Sequence, residues 1–303
     1  MNNAVKHHLG LDIAQQERLT GGYTFETWLL TLSDGGRVVF RTQCDFFTGG
    51  GRKIVITDVL AREQFFYDSV NAKLGTVCPV VHVVDGSRAH YEHAFCIMEY
   101  IEGVPLDRCF VGLDQTEQNR VLEQIGVLAA QINSIDIDAD HPYCRTRGVW
   151  EEYVADRLGE RLLPLVPNGV VTQDEIDAMK NSLRGKKAVR TRSFLHLDMR
   201  RVNMLYNKGH LALLDAENCE FGDPLFELAT IDVAGELAPP LLAGYKKAYG
   251  GTIDLEDDLY DYYKMERAAL VLQLFINELK TEPASTSRYL ALFKEVKAKL
   301  LKG

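Results

Sequence analysis

A chain of 303 residues, 46% hydrophobic and 25% charged, holds enough apolar material for one large or two modest domains. Its formal net charge of -9 argues against a general nucleic-acid binder, because neutralising phosphates takes a basic surface, and weakly favours a cationic ligand. The start of the chain lacks the charged head and apolar run of a signal peptide, no stretch is apolar over a membrane-spanning length, and the six cysteines form no Cys-x-x-Cys pair, so the expectation is a cytoplasmic protein without zinc site, redox motif, membrane segment or obligate protein partner.

Three strands are predicted first, over residues 15–25, 26–32 and 37–42, the last two joined by Ser33-Asp34-Gly35-Gly36, a strong hairpin signal. A glycine-rich connection, Thr48 to Arg52, leads to a helix over 56–73, where Val59, Phe66 and Val70 share a face and Thr57 is the expected N-cap. Gly49-Gly50-Gly51-Arg52-Lys53 lacks the Gly-Lys-Ser/Thr ending of a phosphate-binding loop and reads as a connection. Strands over 79–86 and 94–100 complete a small first lobe, residues 1–103, that ends in the connector Glu-Tyr-Ile-Glu-Gly-Val. Residues 104–303 are mainly helical, with helices expected over 114–133, 149–165, 172–183, 224–237, 255–280 and 287–301. The reading is α+β: a five-stranded antiparallel lobe with one helix, then a larger helical lobe, without internal repeats.

Short strands interrupt the helical lobe in SFLHLDMRRVNMLY and LALLDAENCEFGDP, joined by the turn Asn207-Lys208-Gly209. Apolar neighbours carry His196, Asp198, Asn203 and Asp215 towards a core, where polar groups need partners. A hairpin from Asn203 to Asp215 would bring those two residues together at its open end. An amide oxygen and a carboxylate offer Mg²⁺ a partial shell, which it completes with water and substrate phosphates. Asp198 remains to accept a hydrogen bond from a substrate hydroxyl, and base followed by two metal ligands is the order that phosphoryl transfer needs.

His196 to Asn203 fits the H-x-D-x-x-x-x-N loop of kinases, and LLDAENCEFGDPLFELA resembles the segment that follows it in the aminoglycoside phosphotransferase and choline kinase-like family, with Asp215, Glu217 and Gly222-Asp223-Pro224 matching. The resemblance implies a bilobal protein-kinase-like fold, ATP or GTP as phosphate donor, Mg²⁺ on Asn203 and Asp215, Asp198 as base, His196 bracing the loop and Arg200 reaching the transferred phosphoryl group. It further implies that Gly21, Gly22, Tyr23 and Thr24, within a loop running to Thr27, cover the nucleotide phosphates, that Arg41 and Glu63 pair beside them, and that Glu99, Tyr100 and Ile101 contact the base. Plainer alternatives stand beside these: a hairpin turn for Gly21-Gly22, a structural ion pair for Arg41, a solvated acid for Glu63, a strand exit for Glu99 to Ile101, and solvent or a salt bridge for Arg200.

Several positions depart from the family pattern. Arg41 stands where lysine is usual, Leu197 for glycine, Ala216 for tryptophan, Glu227 for aspartate, and Gln131-Ile132-Asn133 where a Leu-His pair is common. The acceptor implied is an aminoglycoside-like antibiotic or a similar hydroxylated small molecule, cationic if Glu256, Asp257, Asp258, Asp261 and Glu266 hold it. A metabolic sugar, amino-sugar or amino-alcohol kinase would use the same chemistry, and a catalytically weak nucleotide-binding module is the alternative from another class.

Overall fold

The computed structural model describes residues 1–19, 25–43, 46–49, 52–142, 148–188, 190–279 and 283–302. Two compact units divide the chain, Met1–Leu113 with Arg201–Cys219 and Asp114–Arg200 with Glu220–Gly303. The second division falls inside the His196–Asn203 motif, leaving Asp198 in one unit and Asn203 in the other.

The first unit begins with α1 (Asn2–Leu9), a helix that the sequence reading did not anticipate. Only Ala4 and Val5 of it are buried, so its helical signal is short; Gly10, at φ +72°, ends it in the left-handed region open to glycine. Strands β1 (Ile13–Leu19), β2 (Glu26–Leu32) and β3 (Arg37–Gln43) follow, then β4 (Phe46–Gly49), β5 (Arg52–Val55), α2 (Ile56–Leu74), β6 (Val81–Asp85) and β7 (Ala94–Glu99). Five of these strands form the expected antiparallel sheet, in the order β1-β2-β3-β7-β6. Alternation along the strands turns Leu30, Leu32, Val38, Phe40, Phe95 and Ile97 into one core with Ala4 and Val5.

Two local expectations are corrected. The stretch expected as a connection, Thr48 to Arg52, carries paired backbone where it is described, Thr48 of β4 opposite Lys53 of β5 and Gly49 opposite Arg52. Strand β5 runs directly into α2, whose N-cap is Val55 without a side-chain bond, so Thr57 lies inside the first turn and does not cap. Thr57 has a packing contact instead: a Cβ on Gly86 would sit 2.0 Å from its methyl carbon.

After β8 (Val104–Pro105) and the short α3 (Leu106–Cys109), the first unit resumes with β10 (Met204–Asn207) and β11 (His210–Leu213). Met204 pairs with Leu213 and Asn207 with His210. Lys208 and Gly209 both have positive φ, as a two-residue hairpin turn requires.

The second unit holds α4 (Gln115–Asn133), α5 (Trp150–Leu162), α6 (Gln173–Leu183), β9 (Ser193–Leu195), β12 (Glu220–Gly222), α7 (Pro224–Ala234), α8 (Pro239–Ala248), α9 (Asp258–Gln273) and α10 (Pro283–Leu300). Asp114 caps α4 by accepting from Glu117 N, and Thr172 with Glu175 forms a capping box on α6. The helix expected over 224–237 stops at Gly235, φ +77°, and α8 is a further helix that opens on two prolines. Prolines fit there because the first turn has no use for their missing N–H. Among the described residues no helix is long and apolar enough to cross a membrane.

Candidate active site

Strand alternation places Arg41 on the face of β3 opposite Phe40, and α2 presents Glu63 to it. Arg41 Nη1 donates to Glu63 Oε1 and Oε2 at 2.9 and 2.8 Å, and Nη2 donates to Asp215 Oδ1 at 3.1 Å. Glu63, 1% exposed, also accepts from Tyr67 Oη at 2.7 Å and Ala216 N at 3.0 Å. Burial works against the guanidinium charge, but Glu63 and Asp215 more than offset it and hold the Arg41 pKa above its ordinary value. The Phe25 ring lies 4.4 Å from the guanidinium carbon. Residues 215–219 are tied back to α2 by Arg62 Nη2, which donates to Glu217 O at 2.9 Å.

The β10–β11 ladder continues one step past its last strand pair, Leu214 N donating to Asn203 O at 2.8 Å. Asn203 and Asp215 therefore flank the open end of the hairpin, Asp215 at φ +63°. They supply an amide and a carboxylate, the hard oxygen donors that suit Mg²⁺. Among the described residues no three His, Cys, Asp or Glu side chains gather as a metal site. Two protein donors with water and phosphate oxygens making up the rest is the arrangement this ion accepts.

In the second unit β9 pairs with β12, Ser193 opposite Gly222. Gly222 is required by its neighbour: an added Cβ would sit 2.1 Å from the Trp150 ring. Asp223 caps α7 at Leu225 N and accepts from Tyr263 Oη at 3.0 Å, which in turn accepts from Trp150 Nε1 at 2.8 Å. Burial pushes the Asp223 pKa up to about 6. Behind β9, Asn133 Nδ2 donates to Phe194 O at 2.7 Å while its Oδ1 accepts from Tyr245 Oη at 2.8 Å. That contact gives Asn133 a role that its sequence context did not explain.

Beyond β9, Glu227 accepts from the backbone N–H groups of His196 at 2.5 Å and Leu197 at 3.0 Å. Leu197 sits at φ +59°, and Asp198 N donates to His196 Nδ1 at 3.2 Å. Burial pushes the Glu227 pKa up to about 7. At the end of this braced loop Asp198, 6% exposed, accepts from Arg200 Nε and Nη2 at 2.7 and 2.8 Å and from Arg267 Nη2. Burial alone would raise the Asp198 pKa; Arg267 and Arg200 outweigh it and hold the carboxylate well below its usual range.

The structure thus brings together Arg41, Glu63 and Asp215, sets Asn203 at the same hairpin end, and brings together Asp198 and Arg200. Glu99 closes β7, its N–H donating to Val80 O at 2.8 Å; Tyr100 lies beneath the Arg37 guanidinium at 4.4 Å, and Ile101 follows in irregular backbone. Gly21, Gly22, Tyr23 and Thr24 lie outside the described residues. Arg267 was missed, since no spacing rule links it to a loop 69 residues away, and Glu227 was noted as a departure from the family pattern without its bracing of a loop about 30 residues away. Of the acids proposed for a cationic acceptor, Glu256, Asp257, Asp258 and Asp261 line a cavity of about 730 Å³ together with Lys186, Lys264 and Lys299, and Asp198 is not part of its lining. Glu266 is buried elsewhere.

Residues 15–264 match the phosphotransferase enzyme family. A thermostable mutant of aminoglycoside phosphotransferase APH(4)-Ia superposes with a TM-score of 0.67 at 14% identity, over 99% of each chain. ADP-bound aminoglycoside phosphotransferase APH(2'')-Ib gives 0.65 at 15% identity, over 99% of each chain. Macrolide 2'-phosphotransferase MphH from Brachybacterium faecium gives 0.61 at 16% identity, over 96% of this chain and 97% of its own. At such identities the likeness shows the fold, which is the expected protein-kinase-like α+β one. No curated protein matches the sequence.

Proposed function

The chain belongs to the phosphotransferase enzyme family, and from that premise we propose a small-molecule kinase that moves the γ-phosphate of ATP, or of GTP, to a hydroxyl of an aminoglycoside-like antibiotic or a similar hydroxylated compound. The observation that carries this reading is the Asp198 carboxylate, buried at the end of a loop braced by Glu227 and His196, five residues ahead of Asn203. Residues 1–103 are proposed as the nucleotide lobe and 104–303 as the catalytic and acceptor lobe. The four described cysteines are free thiols, which fits a cytoplasmic setting.

Asp198 orients the acceptor hydroxyl and takes its proton late, as the new O–P bond forms, the bond between the γ-phosphorus and the bridging oxygen breaks, and ADP leaves. A carboxylate of low basicity suffices, because the transition state of phosphoryl transfer is loose and asks for positioning more than for prior deprotonation. Arg200, 38% exposed, can turn from Asp198 to the phosphoryl oxygens, where its fork meets the charge that is moving. Arg41, fixed by Glu63, serves the phosphates of the nucleotide, and Gly21 to Thr24 cover them. Mg²⁺ held by Asn203 and Asp215 would neutralise charge on the β- and γ-phosphates.

Nucleotide consumption, with Mg-ATP and Mg-GTP against aminoglycosides, other hydroxylated antibiotics, amino-sugars and amino alcohols, tests the reading beside Asp198→Ala. Acceptor-dependent turnover that falls at least about a hundredfold in the variant is expected. Turnover indifferent to Asp198, or no effect of either nucleotide on the melting temperature, would overturn it.

A further inference from the structure

The acids expected to attract a cationic acceptor are largely engaged by the chain itself. Asp257 caps α9 at Leu259 N, Asp258 meets Lys186 Nζ at 2.5 Å, and Asp261 lies 3.8 Å from Lys299 Nζ. The surroundings of Asp198 have the opposite character. Arg200 and Arg267 converge on it, and Glu266, next to Arg267 on α9, receives Arg157 Nε at 2.5 Å and Arg161 Nε at 3.4 Å on one oxygen.

These four guanidiniums are not equally satisfied. Arg157 has Glu266, the Tyr153 hydroxyl at 3.2 Å and Glu220 at 3.9 Å. Arg200 and Arg267 have Asp198, and Arg200 also feels Glu236. Arg161 has only a share of an oxygen that Arg157 already holds closely. The 3.4 Å contact, made through Nε, is its one hydrogen bond among the described residues, and its side chain is 23% exposed. Burial, with repulsion from Arg157 and Arg267, holds its pKa below the ordinary guanidinium value. A guanidinium that is mostly buried yet so thinly compensated by the chain is better satisfied when an anion completes its shell. Two parallel N–H donors suit a carboxylate or a phosphate.

We propose that Arg161, beside Arg267, binds a carboxylate or phosphate group carried by the acceptor, so that the substrate is a small hydroxylated anion. This rests on the kinase reading above for the hydroxyl presented to Asp198. Glu266, which Arg161 touches, and Arg267, which touches Asp198, are consecutive residues of α9, and Arg161 lies near enough to Arg267 for the two charges to repel each other, so a single acceptor is taken to reach both Arg161 and Asp198.

The test uses the full chain as wild type, Arg161→Gln and Arg161→Lys, with matched probes: gluconate against glucitol, glycerate and glycerol phosphate against glycerol, and glucosamine as the cationic member. Melting temperature and, with Mg-ATP, steady-state kinetics are read for each. The expected result is that the anionic member of each pair raises the melting temperature and has a KM at least tenfold lower. Arg161→Gln should erase that preference by raising KM with kcat held, while Arg161→Lys restores part of it. Three outcomes overturn the inference: no anionic probe binds, the preference survives in Arg161→Gln, or Mg-ATP alone produces the Arg161-dependent stabilisation, which would assign the anion to the nucleotide. Asp198-dependent turnover of glucosamine or glucitol in preference to the anions would remove this inference and leave the kinase reading standing. Arg161-dependent binding of gluconate or glycerate with no nucleotide consumption would do the reverse.

Discussion

Arg41 keeps two acids in place with one side chain, each on its own nitrogen. Its planar fork puts Nη1 on Glu63 and Nη2 on Asp215, whereas an ammonium is a single point of charge on a flexible stem. Arg41→Ala would leave the buried Glu63 with only Tyr67 and Ala216 as donors. Loss of about 3–5 kcal/mol is expected, the usual cost of stranding a buried charge, and less for Arg41→Lys. Urea unfolding checks this, and an alanine variant within 1 kcal/mol of wild type would show the pair to be structurally idle. Arg267 acts on Asp198 in a related way. Because Arg267 and Arg200 hold the Asp198 pKa down against burial, Arg267→Gln should let it rise. The acid limb of the kcat/KM profile is then expected to move to higher pH, by up to about one unit per 1.4 kcal/mol of lost attraction; an unmoved limb would mean that Arg200 alone sets the basicity.

At the scale of elements, α4 and α8 cross so closely that side chains are excluded. A Cβ on Gly126 would lie 1.9 Å from Leu241 O, and one on Gly244 would lie 2.2 Å from Glu123 O. Gly126→Ala should destabilise by about 1–3 kcal/mol through overpacking, despite the gain of up to about 1 kcal/mol in helix propensity. Thermal melts test it, and a stabilised variant would refute the close crossing. These helices also carry Asn133 and Tyr245, so the same change should loosen the hold on Phe194 O and reduce turnover. What the sequence disclosed at this scale was local: helix starts at Asp114 and Thr172, the Asp-Gly-Gly turn, the Asn203–Asp215 hairpin. Those signals sit within a few residues of what they determine. The structure of α1 and α8 rests on neighbours distant in sequence, and proline or glycine at their ends, as between β4 and β5, reads first as loop. The same holds in the site, where Arg41 and Glu63 were legible from a shared motif pattern while Arg267 was not, because only the folded chain brings α9 to Asp198.

For the whole molecule, buried carboxylates set how stability follows pH. Burial lifts Glu227 to about 7 from an ordinary 4.5, and Asp223 to about 6 from 3.8, so the folded chain holds these protons more tightly than the unfolded one. Their contribution is fully present below the unfolded values and is lost as pH rises through about 6 and 7. Asp198 runs the other way. Its folded pKa is depressed, so its contribution is present above the ordinary carboxylate value and disappears as pH falls through the folded one. Together they place maximal stability on the acid side of neutrality, close to the ordinary carboxylate values at about pH 4. The urea midpoint should therefore be higher at pH 5 than at pH 8. Titration of surface acids also relieves the self-repulsion of a chain with a formal charge of -9, and that effect has the same sign. Glu227→Gln separates the two, since it removes one buried titration and leaves the surface unchanged. Its stability profile should be flatter between roughly pH 5 and 7, with up to about 3 kcal/mol of the wild-type slope gone. An unchanged slope would instead mean that the amides of His196 and Leu197 keep Glu227 ionised throughout, and that the loop carrying Asp198 is held by a buried anion.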